Sequence, residues 1–141
     1  MTATKVLRRK YVRPALTLVV AAIVVGCTSG VELGDVQGTV KMDGKPLSGA
    51  TIRFVPVNGG RAAFGRTDES GKYEIQYSAT ASGALVGQVR VEITTAEEVS
   101  DKLGRSRMKP EIVPSRYNTE STLIREVGSG DNTFDFELQS K

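Results

Sequence analysis

"GTVKMDGKPLSGATIRFVP", residues 38–56, decides the fold. Val40 and Met42 fall on one side of an extended chain, Thr39 and Lys41 on the other. Past Asp43-Gly44 the alternation resumes, with Ile52 and Phe54 opposed to Thr51 and Arg53. A period of two places apolar side chains on one face of a strand, whereas a helix would need them three and four apart. Asp-Gly supplies a turn, because glycine and, less readily, aspartate accept left-handed backbone. Pro46 fixes the approach to the second strand, and Gly49 permits a bend before it. The stretch therefore predicts two strands, each with one buried and one wet face.

The same alternation recurs outward from this core. Val36 extends the first strand, sharing a face with Gly38. "KYEIQY" (72–77) sets Tyr73, Ile75 and Tyr77 against Glu74 and Gln76. "QVRVEIT" (88–94) sets Val89, Val91 and Ile93 against Arg90 and Glu92. "NTFDFEL" (132–138) sets Phe134, Phe136 and Leu138 against Asp135 and Glu137. "RAAFGRT" (61–67) and "TLIREV" (122–127) are weaker candidates. Turn residues lie at Asn58-Gly59-Gly60, Ser70-Gly71 and Gly128–Asp131. One-sided alternation marks antiparallel sheets. The prediction is all-β: a single antiparallel β-sandwich of about seven strands and immunoglobulin-like size, occupying residues 36–141.

One segment departs from the pattern. "TAEEVSDKLGRSRMKPEIVPSRYNTES" (95–121) is long for a loop in a compact domain. Its start predicts one or two helical turns, with Thr95 as N-cap, Glu98 at the capping-box position and paired with Lys102, and Gly104 as a stop. Pro110 and Pro114 then enforce extended chain. Lys102, Arg105, Arg107 and Lys109 make this the most basic stretch after the leader. It reads either as a solvated crossover or as a contact surface for an anionic partner, such as a lipid headgroup or an acidic glycan.

The N-terminus carries a different signal. The chain has 141 residues, with 19 Lys and Arg against 16 Asp and Glu. Residues 1–27 hold Lys5, Arg8, Arg9, Lys10 and Arg13 and no acidic group, so the remainder has 14 basic and 16 acidic groups, a net of −2. A nucleic-acid partner thereby loses its electrostatic support. The basic flank precedes "ALTLVVAAIVV" (15–25), a run rising only about 17 Å as a helix against roughly 30 Å of hydrocarbon. A short apolar run behind a basic flank is the form of a secretory signal. The alternative is an N-terminal membrane anchor ending in an incidental cysteine.

The junction Val24-Val25-Gly26-Cys27 resembles a bacterial lipobox. In lipoproteins of that kind the cysteine thiol receives a diacylglycerol, cleavage falls between the positions occupied here by Gly26 and Cys27, and the new amino group is acylated, as by palmitate. Two or three acyl chains anchor stably where one would be marginal. The resemblance implies a signal peptide at 1–26 and a lipidated tether at 27–35. It also implies a domain held to a membrane of the bacterial cell envelope, outside the cytoplasm. Asp is absent at position 28, where some bacteria read a retention signal, which favours the outer membrane or surface.

"GTVKMDGKPLSGATIRFVP" with "GRTDESGKYEI" (65–75) is similar to the carboxypeptidase regulatory-like, transthyretin-like β-sandwich family. Its pattern is a strand, a D-G-K-P-L-x-G-A loop, a second strand, then T-D-x-x-G-x-Y. The later "IVPSRYNTESTLIREVGSGDNTFDFEL" (112–138) resembles the tail of small planctomycete lipoproteins carrying one such domain. The resemblance implies a non-catalytic module for structure or for binding protein or carbohydrate. Related hydroxyisourate hydrolases rely on histidines and a C-terminal signature, and this chain has no histidine.

Without histidine, and with Cys27 as the sole cysteine, Ser-His-Asp and Cys-His nucleophile systems and Cys/His zinc sites are excluded. No catalytic residue and no cofactor is assigned. Sugar stacking would fall to Tyr117 and Phe64, the aromatics least committed to an inward face. Asp43, Asp68 and Glu69, all in turns, form a candidate Ca²⁺ set. Lys41 and Asn132, near the first and last strands, are a candidate isopeptide pair, although Lys41 faces outward by the alternation.

Overall fold

The computed structural model describes residues 30–141, and there every expected strand forms. The lipobox with Gly26 and Cys27, the signal peptide and the first part of the tether lie outside the described residues. Strand β1 (Leu33–Met42) begins three residues before the expected boundary at Val36. It organises the first sheet. Along one edge it pairs antiparallel with β8 (Ala84–Leu85), β5 (Lys72–Glu74) and β2 (Lys45–Pro46). Along the other it pairs with β13 (Gly130–Thr133) and β14 (Phe136–Leu138), and these two pairings are parallel.

The second sheet is antiparallel throughout. Its order is β12 (Ile124–Val127), β9 (Gly87–Thr94), β3 (Thr51–Pro56), β4 (Ala63–Arg66), β6 (Gln76–Ser78) and β7 (Ala81–Ser82). A separate two-stranded ribbon joins β10 (Glu97–Ser100) to β11 (Ser106–Lys109), and a short 3₁₀ turn spans Ser115–Tyr117. Among the described residues no helix is long and apolar enough to cross a membrane.

The two sheets enclose one core. Ile52, Phe54, Val89, Val91 and Ile93 of the second sheet meet Val36, Val40, Tyr73, Phe136 and Leu138 of the first, all buried. Phe54 stacks on Phe134 with ring centroids 6.1 Å apart. The Asp43-Gly44 hairpin has φ of 51° and 77°, the left-handed pair that a two-residue turn of this hand requires. Tyr73 lies in the core with its hydroxyl at an edge, donating to the Phe134 carbonyl at 2.6 Å, and burial pushes its pKa up. A Cβ at Gly38 would sit 1.9 Å from that same carbonyl, so only glycine admits the close approach.

Among the described residues fourteen strands stand where the alternation predicts about seven, because long alternating runs are divided between partners. "KYEIQY" leaves the first sheet at Ile75 and enters the second, while the buried Ile75 keeps the inward phase. "NTFDFEL" breaks at Phe134-Asp135, where the Asp135 carboxylate accepts from the amide and hydroxyl of Thr39, both at 2.8 Å. The expected helix at 95–104 is absent: that segment is β10 and the turn after it. An isolated helix of this length is marginal in water. Here Thr95 is buried and bonded to Glu111 instead of capping a helix.

At the start of β5, Asp68 organises a tight turn. Its carboxylate accepts from the amides of Ser70 at 2.8 Å and Lys72 at 3.0 Å, and Gly71 takes φ +77°. The amide of Asp68 donates to the Lys72 carbonyl, closing the turn.

Candidate functional site

The ribbon of β10 and β11 gathers all four basic residues singled out in the sequence. Its root is clasped by Glu111. The Glu111 carboxylate accepts from the Thr95 amide at 2.9 Å, the Thr95 hydroxyl at 2.7 Å, the Val113 amide at 2.9 Å and the Thr94 hydroxyl. Thr95 in turn accepts from the Ile112 amide at 2.9 Å, so both legs are tied to the end of β9. Partial burial works to raise the Glu111 pKa, but these donors, Thr94 foremost, pull it down from 4.5 to about 2.

A second clasp joins the ribbon to the second sheet. Arg66, at the end of β4, grips Glu97 with two guanidinium nitrogens, one at 2.7 Å. The pair holds the Glu97 carboxyl below its usual range. Glu97 lies opposite Lys109, Glu98 opposite Met108, Val99 opposite Arg107, and Ser100 opposite Ser106. Directly opposed residues share a face. Glu97, Val99, Arg107 and Lys109 therefore form the face turned at its root to the sandwich. Lys109 reaches over Gly49, its Nζ 3.3 Å from where a Cβ would stand.

The tip is a five-residue turn, Asp101–Arg105. Asp101 closes it by accepting from the amides of Leu103 at 2.8 Å and Arg105 at 3.0 Å, and Gly104 takes φ +74°. Asp101 also accepts from Arg105 Nε at 2.7 Å, and the amide and side chain of Arg105 together hold its carboxyl below the usual range. Among the described residues Lys102, Arg107 and Lys109 form no ion pair. Leu103 is 77% exposed and Met108 65%, so the arm projects cations and apolar side chains together.

The other sequence candidates lie elsewhere. Tyr117 is half-buried in the 3₁₀ turn, covered by the Arg116 guanidinium 4.8 Å from its ring centre, and its hydroxyl accepts from the Gln139 amide. It does not join the basic arm. Asp43 accepts from the Ser140 amide and Asp68 caps its own turn, and no three acidic side chains gather as a metal cluster among the described residues. Lys41 pairs with Glu137 at 3.5 Å, while Asn132 is engaged by Gly128, Gly130 and Asp35, so the two are not joined.

Phe64 does face outward, 48% exposed, on the outer surface of the second sheet. It lines a cleft of about 440 Å³ with Thr51, Arg53, Glu92, Thr94, Asn118 and Thr119. The Arg53 guanidinium stands 5.8 Å from its ring centre and pairs with Glu92 at 3.0 Å. The cleft and its ion pair have no local sequence signal, since residues 53, 64 and 92 meet only through the sheet order and residue 118 is brought in by the 3₁₀ turn.

No protein-family model matches the chain, and none of the curated proteins compared with it matches. Among solved structures it is similar to the crystal structure of a 9R-lipoxygenase from Cyanothece PCC8801, at 15% identity and a TM-score of 0.40. That likeness covers 77% of this chain and 16% of the other.

Proposed function

We propose that the chain is a non-catalytic, lipid-anchored protein of the bacterial cell envelope, whose β-sandwich is a binding module of the carboxypeptidase regulatory-like kind. The basic arm of β10 and β11 is its contact surface for an anionic partner, an acidic glycan or an acidic protein face. The observation that carries this reading is the arm itself. Residues 101–112 are all exposed, and three of their four cations form no ion pair among the described residues, while the ribbon's root is held by Glu111 and Glu97. A solvated crossover has no need of two carboxylate clasps. The lipobox resemblance at Val24–Cys27 supplies the anchor.

The test is binding of the full chain to polygalacturonate against a neutral glucan at rising salt. The expected result is salt-sensitive retention on the acidic polymer, weakened at least tenfold by Lys102→Glu, Arg107→Glu and Lys109→Glu together, since contacts between exposed charges are screened by salt. Equal retention by the reversed variant overturns the assignment of the arm. For the anchor, the intact mass of membrane-extracted protein should correspond to a chain starting at an acylated Cys27, and an unprocessed mass rejects it.

A second reading is a carbohydrate-binding module for neutral sugars, favoured by the exposed Phe64 beside Arg53 and Glu92. A sugar's C–H face stacks on such a ring while its hydroxyls bond the flanking polar groups. Loss of neutral-glycan retention on Phe64→Ala, with the arm intact, selects this reading.

A further inference from the structure

The sandwich has two unlike ends, and the chain enters at one of them. β1 starts at Leu33, beside Leu85 of β8 and Gly130 of β13's first rung. At this end Val86 donates its amide to Glu32, and Val57 donates to Gln88 as β3 runs out and β9 begins. Three apolar side chains stand exposed here: Val31 at 58%, Val57 at 51% and Val86 at 37%. β1 then runs ten residues, about 30 Å, to the opposite end. That far end holds Asp43-Gly44, Thr94, the Arg66–Glu97 clasp and so the whole basic arm.

We propose that the valine rim of Val31, Val57 and Val86 rests on the surface of the bilayer that holds Cys27, and that the basic arm points away from that bilayer. This rests on the anchoring reading above. Five residues separate Cys27 from Leu33, and those six Cα-to-Cα steps reach at most about 20 Å, so the entry end stays beside the anchor. The alternative posture lays the sandwich on a side. The outer sheet faces carry the pairs Arg53–Glu92, Arg90–Glu92 and Lys41–Glu137, which would have to be desolvated against lipid. Among the described residues the rim carries no such pair. Its neighbours Glu32 and Asp131 are exposed and stay in the headgroup layer, which favours a zwitterionic over an anionic surface.

Three partly exposed valines are too small a patch to recruit a free domain. On a tethered one they act at high effective concentration and select a posture. The partner of the arm is then not the headgroups of the protein's own membrane, but something that approaches from the opposite side.

The test uses the full chain, purified from membranes and reconstituted in phosphatidylcholine vesicles containing a doxyl-labelled phosphatidylcholine quencher. Val57→Cys and Leu103→Cys each add one thiol for an environment-sensitive fluorophore, at positions exposed enough to tolerate the change. The expected result is flotation of both variants with the vesicles, at least threefold stronger quenching at position 57 than at 103, and a weaker contrast when phosphatidylglycerol is added. Flotation with equal quenching, or with stronger quenching at 103, overturns the posture while leaving the anchor standing. Failure to float overturns the anchor and the posture together.

Discussion

In Asp68–Lys72 and again in Asp101–Arg105, an aspartate carboxylate accepts from two amides, and a glycine in the fourth position turns left-handed. In both, the amide of the aspartate donates to the carbonyl of the closing basic residue. The sequences are D-E-S-G-K and D-K-L-G-R. Their surroundings differ. Gly71 is buried, and a Cβ there would lie 2.6 Å from the Val40 carbonyl and 3.2 Å from Pro46. Gly104 has nothing within 4 Å. One turn is welded between β1 and β2, and the other ends a free ribbon. The same local chemistry therefore builds a structural corner in one place and an exposed arm in the other, and what surrounds the turn decides its use.

The strongest way to break this comparison is to add the same methyl group to each turn. Gly71→Ala meets both a left-handed backbone and a carbonyl it cannot displace, and should cost about 2–5 kcal/mol. Gly104→Ala meets only the backbone preference, about 1 kcal/mol, and only within the ribbon. Denaturant titration should show a large fall in midpoint for the first and almost none for the second. Equal effects would mean that the ribbon unfolds together with the sandwich.

The pair also explains which parts of the structure were legible. D-E-S-G-K reads as a turn because alternating strands flank it on both sides. D-K-L-G-R carries the same signal, but Thr95, Glu98 and Gly104 also satisfy a helix rule, and the short strands around it are too polar to show a period. The clasp that settles the matter joins Glu111 to Thr95, sixteen residues away, and no local pattern contains it. Alternation did find the core face of every long strand. It was blind to the sheet change at Ile75, because the side chain keeps pointing inward while the backbone changes partner. The parallel pairing of β13 and β14 with β1 was equally hidden, since one-sided alternation does not encode direction.

Next in size is the clasp, which the corner at Asp68 does not need and the arm does. Glu111→Gln removes a charge that five donors share, the Ala96 amide at 3.4 Å being the longest, an effect of about 1–2 kcal/mol after allowance for its exposure. Its pH dependence has a definite sign. The folded-state pKa is about 2 and the ordinary value 4.5, so the stability it contributes is complete above about pH 5 and is lost as pH falls towards 2. Thermal midpoints of the wild type and Glu111→Gln should differ most at pH 5 to 7 and converge towards pH 2. A constant gap across that range would show that the ionised carboxylate is not what holds the ribbon.

The smallest effect is the most selective. Asp68→Ala and Asp101→Ala delete the same pair of amide contacts, yet only the first lies where the sandwich depends on the turn. Asp68→Ala should lower the global midpoint. Asp101→Ala should leave it unchanged and speed hydrogen exchange only at the amides of Leu103 and Arg105, because local opening of an exposed tip does not pass through global unfolding. The same substitution releases Arg105 from its partner and removes one negative charge from the arm. Retention on an acidic polymer should therefore rise even as the tip loosens. If retention falls instead, the ordered tip matters to the contact more than its charge, and the arm is read by shape.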